Sequence, residues 1–414
     1  MVSAQSESSS PSADTVRLLL ALAIGLGLLA ASWGALHLPP FDRYQIVDTP
    51  VYQEYGEAMT AGEVPYRDFE VEYPPAALPV FWLPALGPEE HYRSIFEALM
   101  WICAAAMLAL VVRSLASLGA SPRHLLAAAV FVGLFPLALG TVVLTRYDLW
   151  PAALTAAALA AVLAGRVRLG LAVLGLAVAA KIYPLVLLPS LLVYVARRRG
   201  RKEAAACLGA FVAMLVLVVV PFALIAPDGL AGSVERQVGR PLQIESLGAA
   251  VLQAAHQVDG TYVPSVVSTH GSQNLAGSLP DAFATVQTVL QAAALVAVWA
   301  LFARGPATPA RLAAASAASA VVFVALGKVL SPQFLIWLVP LVPLVAGRIG
   351  LAAGALLGAA LVTTHLWFPT RYWDMVDLEP AGWLVLVRDL LLVALAVVLV
   401  VATARRERAG PRTA

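Results

Sequence analysis

Residues 166–202 read RVRLGLAVLGLAVAAKIYPLVLLPSLLVYVARRRGRK. Two apolar runs, Leu169–Ala180 and Ile182–Val195, flank Lys181-Ile-Tyr-Pro184, and both outer ends are basic. A helix needs about 20 residues to cross a bilayer, so neither run is long enough alone. Basic loops stay cytoplasmic, which puts both ends on one side and makes the chain turn back at Lys181. Pro184 breaks the helix at that turn. Broken helices at membrane depth are tolerated only where they line protein or a water-filled cavity. The stretch therefore predicts a membrane protein with a polar site inside it.

The remainder of the chain fits this reading. Its 414 residues are 60% hydrophobic and 13% charged, with a mean hydropathy of +0.82; a soluble domain carries about a quarter charged residues. The fold class is an all-α polytopic membrane protein, with membrane lipids as its surroundings and no nucleic acid among its expected partners. Val16–Leu36 exceeds a signal-peptide core and lacks a small-x-small cleavage site, so it reads as a retained anchor. Further apolar runs lie near 95–118, 124–144, 149–164, 204–225, 282–303, 312–327, 333–347, 349–366 and 382–403. With the short broken runs this gives about 11–13 membrane helices in one domain over 16–404. The Ser-rich residues 1–15 predict a disordered tail, and 405–414 a basic one. Cys103 and Cys207 sit in apolar runs and build neither a disulfide framework nor a zinc site.

Charge gives the orientation. With a cytoplasmic N-terminus, alternating spans put every basic cluster inside: Arg113 and Arg123, Arg166 and Arg168, Arg197 to Lys202, Arg304 and Arg311, Arg348, and Arg405 to Arg408. Nearly all acids then fall outside. A shift by one span destroys the pattern. The expected location is the plasma membrane, with both termini cytoplasmic. A first external loop covers 37–94 and a second 226–281. The first contains DRYQIVDTPVYQEYGEAMTAGEVPYRDFEVEYPP, residues 42–75. Within it Thr49–Ala61 reads as an amphipathic interfacial helix with Glu54 and Glu57 on its solvated face. Ala76–Gly87, interrupted by Pro79 and Pro84, is expected to lie along the membrane rather than cross it.

Ionisable residues at membrane depth are costly and usually functional. Asp148, Lys181 and Lys328 qualify, and all map to the external side. Lys328 belongs to a second break, Gly327-Lys-Val-Leu-Ser331-Pro332-Gln333. Two lysines at helix breaks on one face suit a lipid phosphate; the plain alternative for each is snorkelling at a helix end. Asp148 and Arg146 serve equally well as a structural pair at a helix start. Arg236 and Arg240 either bind phosphate or pair with Glu235 and Glu245. Gln273 and Asn274 either bond a sugar or form a turn. Trp367, Tyr372 and Trp373 read as interface-belt aromatics, and His365 as a satisfied interfacial histidine. The chain has no G-x-x-x-x-G-K-[ST], G-x-G-x-x-G, C-x-x-C or H-E-x-x-H motif, so nothing supports an ATP motor, a nucleotide-sugar domain or a zincin.

The order of motifs resembles a known family. It runs through Asp48, Glu72-Tyr73-Pro74-Pro75, Arg146-Tyr147-Asp148-Leu-Trp-Pro, Ala-Ala-Lys181-Ile-Tyr-Pro184, Arg240-Pro-Leu-Gln-Ile-Glu245-Ser246 and Lys328-x-x-Ser331-Pro332-Gln333-Phe334. This resembles glycosyltransferase family 87, C-type integral-membrane transferases that use polyprenyl-phosphate sugars. The resemblance covers about residues 40–345 and implies a GT-C-type bundle with an inverting mechanism. It implies Asp48 as catalytic base, with Asp42 and Asp68 in the same loop as alternatives. Lys181, Lys328, Arg240 and Arg146 would bind the donor phosphate. Tyr52, Tyr73, Asp148, Gln273, Asn274 and Gln333 would contact sugar or acceptor. The donor would be a polyprenyl phosphate sugar, with mannose as the expected hexose, and the acceptor a glycolipid or glycan. No metal or other cofactor is implied, because the leaving group carries one phosphate rather than a pyrophosphate. Two other readings compete: a transporter or flippase for a lipid-linked saccharide, which fits the broken helices, and a non-catalytic envelope-assembly scaffold.

Overall fold

The computed structural model describes residues 13–41, 43, 45–260 and 262–405. The expected tails and the alternative base Asp42 lie almost wholly outside these residues. Seven helices are long and apolar enough to cross a membrane among the described residues: Thr15–Ala35, Glu89–Ser117, Pro122–Leu139, Arg201–Ile225, Ser278–Arg304, Gly347–Trp367 and Gly382–Ala404. Shorter apolar helices cover Pro75–Leu86, Leu149–Leu163, Val167–Ala180, Pro309–Ala325 and Pro332–Leu344. The chain is an all-α polytopic membrane protein.

Small residues let the helices approach closely, as packing between apolar helices in lipid requires. A Cβ on Gly133 would meet the carbonyl of Gly25, where the first helix crosses Pro122–Leu139. Pro309–Ala325 is rich in Ala and Ser and almost fully buried, packed on the last helix.

The break at Lys181 is present. Val167–Ala180 ends there, a 3-10 turn over Tyr183–Leu187 follows, and Leu188–Arg199 completes the return. Two apolar runs behave differently from their expected form. Residues 333–347 form 3-10 turns, Pro332–Leu338 and Val342–Leu344, because Pro332, Pro340 and Pro343 deny it a continuous ladder. Run 124–144 stops at Leu139, where Gly140 takes φ +83°, and resumes as the short helix Val142–Thr145. Residues 76–87 are three short pieces with Ala76, Ala77, Leu78, Val80 and Phe81 buried.

The second long loop is structured. It holds helices Pro227–Val238 and Leu247–Asp259 and a three-stranded antiparallel sheet. Its strands are β1 (Leu242–Gln243), β2 (Ser265–Thr269) and β3 (Ser272–Ala276), in order β1-β3-β2.

The two ends of the bundle differ in chemistry. At one end, arginines bond to the carbonyls and acids of neighbouring helix ends: Arg197 Nη1 to Gly305 O (2.5 Å), Arg199 Nη2 to Gly165 O (2.7 Å), Arg168 to Glu203 (2.6 Å) and Arg311 Nη2 to Thr403 O (2.9 Å). At the other end lie the helix breaks and both long loops. Trp367 is fully buried there against Phe368 and Tyr372, so it packs the core instead of marking an interface. Trp373 beside it is exposed, and His365 Nδ1 meets the carbonyl of Leu137 at 3.1 Å.

Candidate active site

Asp48 is the N-cap residue of helix Thr49–Thr60, but its side chain makes no capping bond and stays available to other partners. The loop before it is tied to the bundle by a charged chain. Glu97 accepts from His37 Nε2 (2.8 Å) and from Arg93 Nε (2.8 Å), and Arg93 also bonds Gln45 (2.5 Å). One face of the helix packs Tyr52 and Gly56 inward, leaving Glu54 and Glu57 exposed as the amphipathic pattern predicts. Tyr52 stacks on Phe81 at 4.5 Å between centroids, and Tyr73 meets Tyr147 edge-on at 5.0 Å. These rings hold Asp48 over the break that carries Arg146, Tyr147 and Asp148.

That break sets up two ion pairs. Arg146 contacts Asp48, whose carboxylate also receives the Tyr52 hydroxyl at 3.4 Å. Asp148, almost wholly buried, accepts from Lys181 Nζ at 2.6 Å and from Trp337 Nε1 at 2.7 Å on the same oxygen. Arg146 and Asp148 therefore do not pair with each other. Extended backbone at Arg146 sends their side chains to different partners. The Lys181 ammonium also lies over Tyr147 (4.6 Å), Trp337 (5.1 Å) and Phe334 (5.6 Å). Trp337 stacks on Tyr183 at 4.3 Å, joining the two helix breaks. Arg146 Nε and Asp148 Oδ2 have no hydrogen-bond partner.

The second loop closes over this centre. Arg240 Nη2 donates to His270 O (3.2 Å) and Ser272 Oγ (3.1 Å), and its Nε has no partner. Arg236 pairs with Glu70 at 3.1 Å. Neither arginine pairs with its neighbour in sequence, because each reaches across to another segment. Burial lowers the Arg240 pKa against the pull of Glu72, Tyr73, Glu245 and Asp48, which places it in the field of the same cluster. Burial raises the Tyr73 hydroxyl above its ordinary range, and the Asp48 charge adds to this.

Other expected contacts fall elsewhere. Lys328 Nζ donates to Val238 O at 3.3 Å and joins neither ion pair, while its carbonyl accepts from Gln243 N (3.0 Å). Asn274 is buried and bonds Thr269 and Ser272 inside its own hairpin. Gln273 lies in β3 and accepts from Ile244 N through its carbonyl. Gln333 is half-buried in the 3-10 turn after the second break. Asp68 bonds Arg67 and Val64 N, a local turn contact. Its pKa is held down to about 2 by those partners, so it is a poor proton acceptor.

Three features escaped the sequence reading. Trp337 sits in an apolar run where a tryptophan carries no signal. Glu245 stood as a partner for Arg240 and as part of a motif with no role of its own, yet it is buried, and its carbonyl accepts from Arg388 Nη2 at 2.6 Å. Arg388 and Asp389 form a fully buried pair (2.6 Å) inside the last span. An Arg-Asp dipeptide in an apolar run was the available signal.

Fold and site define a membrane-embedded protein with a polar, ion-paired centre built from broken helices and two long loops. The model of glycosyltransferase family 87 matches residues 72–332, and the chain belongs to that family. It is thus a glycosyltransferase. The match includes Tyr73, Arg146, Asp148, Lys181, Arg240, Glu245 and Lys328; Asp48, Trp337 and Arg388 lie outside it. A search of curated proteins finds no match.

Proposed function

We propose that the protein transfers a hexose, mannose first among the candidates, from a polyprenyl phosphate to a lipid-linked or glycan acceptor at the external face of the plasma membrane. The observation that carries this reading is the adjacency of the Asp48–Arg146 and Asp148–Lys181 pairs at one end of the bundle. It sets a carboxylate beside two cations, Arg146 buried and Lys181 half-buried, as proton removal from a hydroxyl and departure of a phosphate require. The end assignment rests on charge: the opposite end holds the arginine clusters, which belong in the cytoplasm.

In this mechanism an acceptor hydroxyl displaces Arg146 from one Asp48 oxygen and gives its proton to that carboxylate. The acceptor oxygen bonds to the anomeric carbon from the face opposite the phosphate, so configuration inverts. The bond from anomeric carbon to phosphate oxygen breaks, and its electron pair stays on the phosphate. Lys181, Arg146 and Arg240 stabilise the charge released. A leaving group with one phosphate needs no metal beside these cations. Lys328 is left out because its ammonium reaches the Val238 carbonyl. The deciding experiment is Asp48→Asn in membranes supplied with polyprenyl-phosphate-mannose. Loss of transfer is expected, and transfer at the wild-type rate removes Asp48 as the base.

A further inference from the structure

Gln243, Glu245 and Ser246 have no part in the chemistry above, although they lie beside it. All three are buried, with Gln243 and Glu245 each 2% exposed. The Gln243 amide nitrogen donates to the Glu245 carboxyl and to Ser331 Oγ (2.9 Å), which uses both of its hydrogens. Its Oε1 has no donor, Ser246 Oγ has no partner, and neither has the Nε of nearby Arg240. Buried polar atoms without partners are costly. Several on one short stretch call for an occupant that brings its own hydrogen bonds.

The stretch is rigidly held. Gln243 N donates to Lys328 O (3.0 Å), Ile244 N to Gln273 O (3.1 Å), Gln253 Nε2 to Ile244 O (2.7 Å) and Arg388 Nη2 to Glu245 O (2.6 Å). Its place beside the reacting centre follows from its electrostatics: the Glu245 carboxyl feels Arg146 and Arg240, and Arg240 feels Asp48. Gln243 Oε1 accepts, Ser246 Oγ both donates and accepts, and Arg240 Nε donates, a mixed set that suits the hydroxyls of a sugar. Burial pushes Glu245 up to about 8, so near neutrality it is mostly protonated and has an O–H to donate.

We propose that Gln243, Glu245 and Ser246 form a subsite that reads the hydroxyl groups of a sugar ring, separate from the cations that hold phosphate. The inference rests on the glycosyl-transfer reading. The ring is either the donor hexose or the terminal sugar of the acceptor, since both present neighbouring hydroxyls.

The test uses the purified full chain in detergent, with binding followed by tryptophan fluorescence. The probes are farnesyl phosphate, farnesyl phosphoryl mannose and octyl α-mannoside. Glu245→Ala leaves the backbone tie to Arg388 in place, and Ser246→Ala removes a single hydroxyl; thermal melting checks that both fold. Both variants are expected to weaken a sugar-bearing probe, Glu245→Ala by about tenfold, while farnesyl phosphate binds as in wild type. Should Glu245→Ala misfold, Ser246→Ala alone decides. Loss confined to farnesyl phosphoryl mannose assigns the donor sugar, and loss confined to octyl α-mannoside assigns the acceptor. Unchanged sugar affinity, or equal loss for farnesyl phosphate, overturns the subsite while leaving the transferase reading intact. Wild-type protein that binds none of the probes overturns both.

Discussion

The guanidinium of Arg146 rests against the carboxylate of Asp48, while Asp148, two positions further on, holds Lys181 instead. One short break in the bundle thereby anchors the first loop and the second broken helix together. The proposed base is kept paired until a hydroxyl competes for it. Asp48→Asn should lower transfer about 10³-fold, with farnesyl phosphate affinity retained because Arg146 and Lys181 remain. Initial rates and probe binding on the same preparation measure both quantities.

Lys181→Met should be destabilising as well as inactivating. It strands the buried Asp148 carboxylate, a loss of about 3–5 kcal/mol when one partner of a buried pair is removed. The double variant Asp148→Asn with Lys181→Met should recover most of the melting temperature and none of the transfer activity. Thermal melting in detergent separates the two effects.

Gly56 lies where helix Thr49–Thr60 crosses residues 78–86. A Cβ there would come within 2.5 Å of the Phe81 carbonyl and 2.8 Å of Ala85 Cβ. Gly56→Val should push the helix outward and carry Asp48 off Arg146. Transfer should fall at least about tenfold, since small misplacements at a reacting centre cost heavily, although every charged residue of the site is unchanged.

Lys328→Gln tests a residue that the motif order favours and the geometry does not. Its ammonium makes one contact, with the Val238 carbonyl. Transfer should change by less than about threefold, as for a surface substitution of within ±0.5 kcal/mol, whereas Lys181→Gln should abolish it. Parallel rate measurements decide.

The raised pKa of Glu245 has a consequence for stability. The folded protein keeps its proton to about 8, while the unfolded chain releases it near the ordinary value of 4.5. The stabilisation is therefore complete below the unfolded value and is lost as pH rises toward 8. Glu245→Gln should flatten this decline, so that its melting temperature falls by a few degrees less than wild type between pH 5 and 8. Thermal melting across that range checks it.

What the sequence made legible was what length and charge alone decide. The break at Lys181 was readable because two short runs sit between basic ends with Pro184 at the turn. The break at Lys328 was readable, but the direction of its side chain was not. Asp148 looked like a partner for Arg146 because sequence distance stands in for spatial distance only within a helix, and extended backbone at Arg146 separates them. The hairpin β2–β3 was missed because its strands are short, with β2 largely exposed. The buried pair in the last span was hidden by the hydropathy around it.

The last helix reaches both ends of the molecule. Its residue Thr403 accepts from Arg311 at the basic end, and its Arg388 accommodates Glu245 at the site end. This one helix is thus a tie rod that couples the second loop at the site end to the arginine end of the bundle.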